Sequence, residues 1–425
     1  MFKSLIKEKG EISMHGAITL STDPQLINRL VLLSICTKNE IIIKPNLTNS
    51  LLNPLNELIR FIGGSYSAKK ELIYQVKDIN TILIPHTIIP DFNLRFMAMM
   101  AILGRKNEAG MEIANLDDYD KKLFEIYYKN LKLFPFSTKI SKNYFIIKNN
   151  PPLHDQLVID GSKLSYIEVY GFTLFALGTN KPLTIINPVI DEYTFYILNQ
   201  LKESSIVNFV EKEITINSGL PTLTFNDLPG STIELLSLLI LTVYWKGDLS
   251  IINIKQTQII GLLNIINRIG IPYKIEGETL RIWCDPNTKF KPINFEEKGF
   301  PGLIGSWIEI ISLLSTQVSG EINIKFKNPN LFGEYFRAKS YGLNIIPNND
   351  QSFLYPKTFK LIGPSKVNFE NSDLNLSRSK ILPLILSLIV IEPIELKGFE
   401  LISDVLPDLI PKLIKLGLSL KVVEY

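Results

Sequence analysis

The chain repeats itself six times, and that repetition constrains its fold more than any single residue does. The end of a recurring amphipathic helix falls at Gly64, Phe134, Ser204, Gly270, Gly342 and Gly417, at intervals of 70, 70, 66, 72 and 75 residues. Before each of these points lies the same programme: an apolar helix, a short β-rich run, a second helix, then strand-like residues. Self-similarity at a near-constant interval marks one supersecondary unit copied along the chain.

The helix nearest each endpoint reads Leu51–Ile62, Leu123–Leu133, Thr194–Leu201, Ile259–Ile269, Leu331–Tyr341 and Leu406–Leu416. Most carry apolar residues three and four apart, the stripe that lets a helix cover a sheet. The other helix of each unit reads Ile27–Cys36, Leu94–Leu103, Ile167–Leu177, Ile233–Tyr244, Trp307–Leu314 and Ile381–Ile391. These are apolar nearly all round, which predicts burial on several sides. An α-solenoid fits poorly. Runs such as Glu40–Lys44, Leu183–Ile186, Leu249–Asn253 and Glu321–Lys325 are short, β-branched and bounded by turn residues, so they predict strands.

Length and charge narrow the class. A chain of 425 residues exceeds what one hydrophobic core ordinarily serves, so two domains are expected. The 45 basic residues nearly balance the 42 acidic ones, and no Lys/Arg block suggests a surface that tracks phosphates, so no nucleic-acid partner is expected. Two cysteines, Cys36 and Cys284, exclude a disulfide framework and suit a reducing cytoplasm. The charged stretch Met1–Gly10 does not read as a signal peptide. The longest apolar run, Leu235–Trp245, is about half the roughly 20 residues a membrane span needs, so no membrane partner is expected and a core helix is predicted. A monomer is the expectation.

The first three units occupy roughly residues 21–225 and the last three 226–425. A strand at Gly10–Ile18 precedes unit one and is expected to join the last unit. This predicts one domain from 1–20 plus 226–425, an inserted domain at 21–225, and paired crossovers near Leu20 and Phe225. Paired crossovers make a hinge, and a hinge makes a cleft that can close over a ligand.

Five local sequences then point to a family. Leu20-Ser-Thr-Asp-Pro-Gln-Leu-Ile-Asn-Arg-Leu-Val-Leu-Leu33 is similar to the segment L-P-G-D-K-S-x-S-N-R-x-L-L-L, keeping Leu20, Asp23, Asn28 and Arg29. Asn93-Leu-Arg-Phe96 stands at A-G-T-A-M-R, Asp160-Gly-Ser-Lys-Leu-Ser165 at D-G-S-x-S-S, Phe300-Pro-Gly-Leu303 at I-P-D, and Asn375-Leu-Ser-Arg378 at N-D-H-R. In this order, across essentially the whole chain, they resemble the enolpyruvyl transferases, and among them the 3-phosphoshikimate 1-carboxyvinyltransferases (EPSP synthases). The resemblance implies an α/β fold: a two-domain inside-out α/β barrel of six βαβαββ-type units, three per domain. It also implies a carboxyvinyltransferase of aromatic amino acid biosynthesis, moving enolpyruvyl from phosphoenolpyruvate onto shikimate 3-phosphate without a cofactor.

Both of those substrates are polyanions, so the reaction needs convergent cationic donors and a proton acceptor and donor. The family's catalytic positions hold none of these here. Its bridging lysine is replaced by Pro24, its aspartate proton acceptor by Gly302, its shuttling glutamate by Asn328 within Lys327-Asn-Pro-Asn-Leu331, and its late lysine by Asp404. The phosphate-binding arginine of the same stretch is Leu331. Losing one buried charge-assisted contact costs about 2–5 kcal/mol, roughly 30- to 5000-fold in affinity. No residue is therefore assigned a catalytic role.

Substrate-binding candidates survive by the resemblance: Arg29 toward the shikimate carboxylate, Ser165 toward its phosphate, Tyr193 lining that side, Arg378 toward the phosphoenolpyruvate carboxylate, with Arg95 and Lys121 at or near family arginines. Each also has a structural reading. Arg29 and Arg95 could pair with Asp23 and Asp91, Ser165 could cap a helix, and Arg378 opens one. His15, His86 and His154 lie far apart and give no metal spacing. His86, within the β-rich run Ile82–Ile89, reads as structural. The aromatic run Phe124–Phe136 lacks a basic track and reads as a helix face on a sheet. Three functions stay open: a noncatalytic descendant with a protein partner or new ligand, an active divergent carboxyvinyltransferase binding a small anionic metabolite, and an enzyme for another hydroxylated substrate.

Overall fold

A computed structural model describes residues 3–8, 14–45, 54–68, 71–149, 157–179, 181–210, 212–217, 219–326, 342–347, 358–369, 372–373, 381–402, 405–406 and 408–424. Six four-stranded sheets run through these residues with one shared connectivity. In the second repeat, Leu83–Ile84 lies parallel to Glu108–Glu112. Tyr144–Asn149 pairs antiparallel on the other side, and Phe136–Ile140 completes the hairpin at the edge. The predicted β-branched runs are the second strands of this pattern: Ile41–Ile43, Leu183–Ile186, Asp248–Ile252 and Gly320–Lys325.

The chain forms two compact units, Gln25–Leu228 and Met1–Pro24 with Pro229–Tyr425. Each closes on itself through its terminal strands. In the first, Leu223–Phe225 returns to lie parallel to Ile41–Ile43, so the unit's last strand opens its first sheet. In the second, His15–Thr19 lies parallel to Asp248–Ile252 and opens the fourth repeat's sheet. The single strand predicted at Gly10–Ile18 for the last repeat is thus corrected. It is Lys3–Lys7 that enters the last sheet, antiparallel to both Ile394–Lys397 and Leu420–Glu424. Lysines flank this run, yet Lys7 is buried with its Nζ donating to the Ser387 carbonyl at 3.3 Å.

The all-apolar helices are the inner layer of each unit. Phe92–Lys106, Tyr166–Thr179 and the 3₁₀ turn Ser34–Cys36 meet in one unit; Thr232–Tyr244, Gly305–Ile311 and Ile381–Ile389 meet in the other. Eleven of the thirteen residues of Thr232–Tyr244 are buried, whereas strands such as Val207–Val210 alternate buried and exposed. Helices apolar all round therefore pack on one another, and the sheets cover them with one face while the other meets water. Two surface helices begin at side-chain caps. Asp117 accepts from the Tyr119 and Asp120 amides, so the helix predicted at Leu123 starts at Asp118. Asp191 accepts from the Thr194 amide, so Thr194–Leu201 extends to Glu192–Glu203. Left-handed residues Gly63, Ser205, Gly270, Gly342 and Gly417 lie within one residue of five of the six predicted endpoints, which explains the glycine periodicity. The helix predicted at Leu331–Tyr341 lies outside the described residues. No described helix is long and apolar enough to cross a membrane.

Two inner helices touch backbone to backbone. A Cβ on Gly104 would come within 2.5 Å of the Phe175 carbonyl oxygen and 3.1 Å of the Gly178 Cα. Gly104→Val is expected to destabilise the unit Gln25–Leu228 by about 1–3 kcal/mol, the usual cost of overpacking, read as a lower urea midpoint with an unchanged m-value.

Candidate functional site

The first family-like segment ends in a helix, Pro24–Leu33, opened by the proline itself. Proline suits the first helical position because its missing N–H would have had no partner there. Arg29 follows within this helix and is buried. Its Nη1 donates to Asp191 Oδ1 at 2.8 Å and to Thr194 Oγ1 at 2.6 Å, and its Nη2 pairs with Asp191 Oδ2. Tyr166, Tyr170 and Tyr193 place rings 5.9, 5.0 and 5.4 Å from the guanidinium carbon. Burial works against its charge, but Asp191 and the facing tyrosines outweigh that and hold the Arg29 pKa above its ordinary value. The structural partner expected from sequence, Asp23, is corrected to Asp191. Asp23 instead accepts from Ser231 Oγ at 2.6 Å. The true partner lies 162 residues away, where no local reading could find it.

Tyr193 is thus a wall of the Arg29 cage. Ser165 caps helix Tyr166–Thr179 in a reciprocal box: its Oγ accepts from the Glu168 amide at 3.3 Å, while Glu168 Oε2 accepts from the Ser165 amide and hydroxyl, both at 2.9 Å. Lys121 is exposed and pairs with Asp118 at 3.1 Å, one turn earlier in its own helix. Arg378, Asn328 and Asp404 lie outside the described residues. Gly302 donates its N–H to the Gly299 carbonyl at 2.7 Å. A Cβ there would sit 2.9 Å from the Gly299 oxygen and 3.1 Å from Lys298 Cβ, so an aspartate at this position needs the turn to shift.

Arg95 is wholly buried, and its three guanidinium nitrogens have no hydrogen-bond partner. The pairing expected with Asp91 is corrected: the Asp91 carboxylate caps helix Phe92–Lys106 by accepting from the Leu94 amide at 2.7 Å. His86 stands in a turn after the two-residue strand Leu83–Ile84, its backbone N–H donating to Glu112 at 2.9 Å. The aromatic run packs as read, with Phe124 and Tyr128 edge-on to Phe145 of the neighbouring strand at 5.3 and 5.9 Å.

One polar network escaped the sequence reading. Lys412 Nζ donates to Ser21 Oγ at 2.7 Å and to Glu234 Oε1 at 2.5 Å. Ser21 Oγ donates to Asp408 Oδ2 at 2.6 Å, and the Ser21 amide to Glu234 Oε2 at 2.9 Å. Burial pushes the Glu234 carboxyl up, opposed by Lys412. The available signal was the spacing of Asp408 and Lys412, four apart and hence on one helix face. This lysine lies beside the segment whose family lysine is absent, but it is already engaged by a buried carboxylate. Among the described residues no cluster of three His, Cys, Asp or Glu is placed to hold a metal ion.

Asp191→Ala would leave the Arg29 charge buried and uncompensated. It is expected to destabilise the unit Gln25–Leu228 by about 3–5 kcal/mol, whereas replacing both residues by apolar ones of similar volume should cost markedly less; chemical denaturation of the three variants checks this.

No family model matches the sequence, and no curated protein does. Solved structures match along its whole length. The enolpyruvyl transferase NikO from Streptomyces tendae aligns over 99% of this chain and 99% of its own, with a TM-score of 0.77 and 13% identity. Two structures of EPSP synthase from Acinetobacter baumannii align over 99% of this chain and 100% of theirs, with TM-scores of 0.66 and 0.67 and 14% identity. Six sheets of one connectivity, closed into two units by their own terminal strands, are thus the fold of the enolpyruvyl transferases.

Proposed function

We propose that this chain keeps the enolpyruvyl-transferase scaffold and does not transfer enolpyruvyl from phosphoenolpyruvate to shikimate 3-phosphate. The observation that carries this reading is the bidentate Arg29–Asp191 pair, closed by Thr194 and three tyrosine rings. Turning Arg29 toward a substrate carboxylate would gain about 2–5 kcal/mol. It would also strand Asp191 in the interior at a cost of about 3–5 kcal/mol. The exchange yields nothing, so a buried cation already neutralised by the protein is a poor anion receptor.

The other positions support the same reading. Pro24 offers neither charge nor N–H, Gly302 has no room for an acid without a shift of its turn, and Ser165 serves its own helix. Lys412, which reaches Ser21 of the first segment, is bound to Glu234. On this account the partner is a protein, or a ligand other than the two polyanions together, and the family's contacts now serve the fold. The competing reading is an active divergent carboxyvinyltransferase, and it makes the opposite prediction.

Isothermal titration with phosphoenolpyruvate and shikimate 3-phosphate, singly and together, is expected to show no binding at micromolar concentrations. Expression in a strain lacking its carboxyvinyltransferase is expected to leave the aromatic amino acid requirement in place. Micromolar binding of both compounds with rescue of growth would establish the enzyme instead.

A further inference from the structure

The second repeat ends in a hairpin whose outer strand is the edge of its sheet. Phe136–Ile140 is paired on one side only, with Tyr144–Asn149. An edge strand offers backbone N–H and C=O groups to which a further strand can be added. Side chains alternate across it. Thr138 and Ile140 stand opposite the buried Ile147 and Phe145 and share their face with Phe136, whereas Ser137 and Lys139 lie on the other face. The covering of the first face runs out at this edge. Ile140 is 46% exposed, and Leu133, just beyond helix Asp118–Leu131, is 69% exposed. Phe136 meets Phe175 edge-on at 5.3 Å, and Phe175 also lines a groove with Leu157, Ala176, Thr179 and Pro182. The edge strand thus borders on apolar surface.

Charge decides what fits there. Between Glu125 and Asp155 the chain carries Lys129, Lys132, Lys139, Lys142 and Lys148 and no acidic residue. Lys148 pairs with Glu108 at 3.0 Å, and Lys132 sits over the Tyr128 ring at 4.1 Å. Lys129, Lys139 and Lys142 are exposed, and among the described residues none of the three has a carboxylate within ion-pair distance. A second copy of this edge would set lysine against lysine, which is unfavourable across paired strands. The most exposed apolar groups here are the aliphatic Leu133 and Ile140, which suit the side chains of a polypeptide better than stacked bases.

We propose that strand Phe136–Ile140 is a docking edge for an extended acidic segment of a partner protein. The segment adds a strand to this sheet, with an acidic residue opposite Lys139 and apolar residues opposite Thr138 and Ile140. Backbone pairing supplies the affinity, and the alternation of acidic and apolar side chains supplies the specificity. The edge includes neither Arg29 nor any of the positions where the family keeps its catalytic side chains. Peptide binding and enolpyruvyl transfer are therefore measured separately, and either can fail alone.

The probe is a short end-blocked peptide alternating valine with glutamate, titrated with the full chain and read by fluorescence anisotropy; its counterpart alternates valine with lysine. The glutamate peptide is expected to bind, more weakly as salt is raised, and the lysine peptide not to bind. Lys139→Glu should weaken the glutamate peptide by about three- to tenfold, the size of reversing one cross-strand charge pair, and should turn the preference toward the lysine peptide. Because Lys139 is exposed, this variant is expected to keep the wild-type urea midpoint. Hydrogen exchange should slow in fragments covering residues 136–140 when the glutamate peptide is bound. No binding of that peptide, equal affinity in Lys139→Glu, protection of a different strand, or tighter binding of an oligothymidylate of similar length would overturn the proposal.

Discussion

A helix that is apolar on every side cannot be covered by the small sheet of its own repeat, and the rest of this structure follows from that constraint. One four-stranded sheet hides one face of such a helix. Hiding the remainder requires sibling helices, so three repeats share a core in each unit. Sharing a core in turn obliges each unit to close, and the chain closes both by returning a terminal strand to an open sheet. Where the inner helices press closest, only glycine fits, as at Gly104 and Gly178.

The same dense interior sets the terms for its charges. A cation buried here has to be neutralised by the protein, and Arg29 shows how completely that can be done: a bidentate carboxylate, a hydroxyl and three rings. Such a pair is costly to break from one side, which makes it a good tie between Pro24–Leu33 and Glu192–Glu203. Lys412 repeats the logic in the other unit, where it joins Ser21 to Glu234. Arg95 is the contrasting case, a fully buried charge whose guanidinium nitrogens have no hydrogen bond, while Asp91 on the same helix serves as its cap.

The site was legible only where its partners are close in sequence. Ser165 and Glu168 stand three apart, and their capping box follows from that spacing alone. The Asp117 and Asp191 caps are equally local, but apolar periodicity alone marks Leu123–Leu133 and Thr194–Leu201, which start later than the capped helices do. Lys3–Lys7 was missed as a strand because a lysine on the covered face reads as solvent-exposed until the Ser387 carbonyl is known to receive it.

The sequence by itself determined the six-fold programme, the inner and outer helices and the short β-branched strands. Each of these is written in residue spacing or identity, which local backbone preference and hydrophobic periodicity convert into structure. Only the tertiary structure decided that Arg29 belongs to Asp191, that Lys412 reaches Ser21, and that the Arg95 guanidinium is sealed without a hydrogen bond. Electrostatic partnership depends on distance in space, and the loops that join these residues erase any trace of it along the chain.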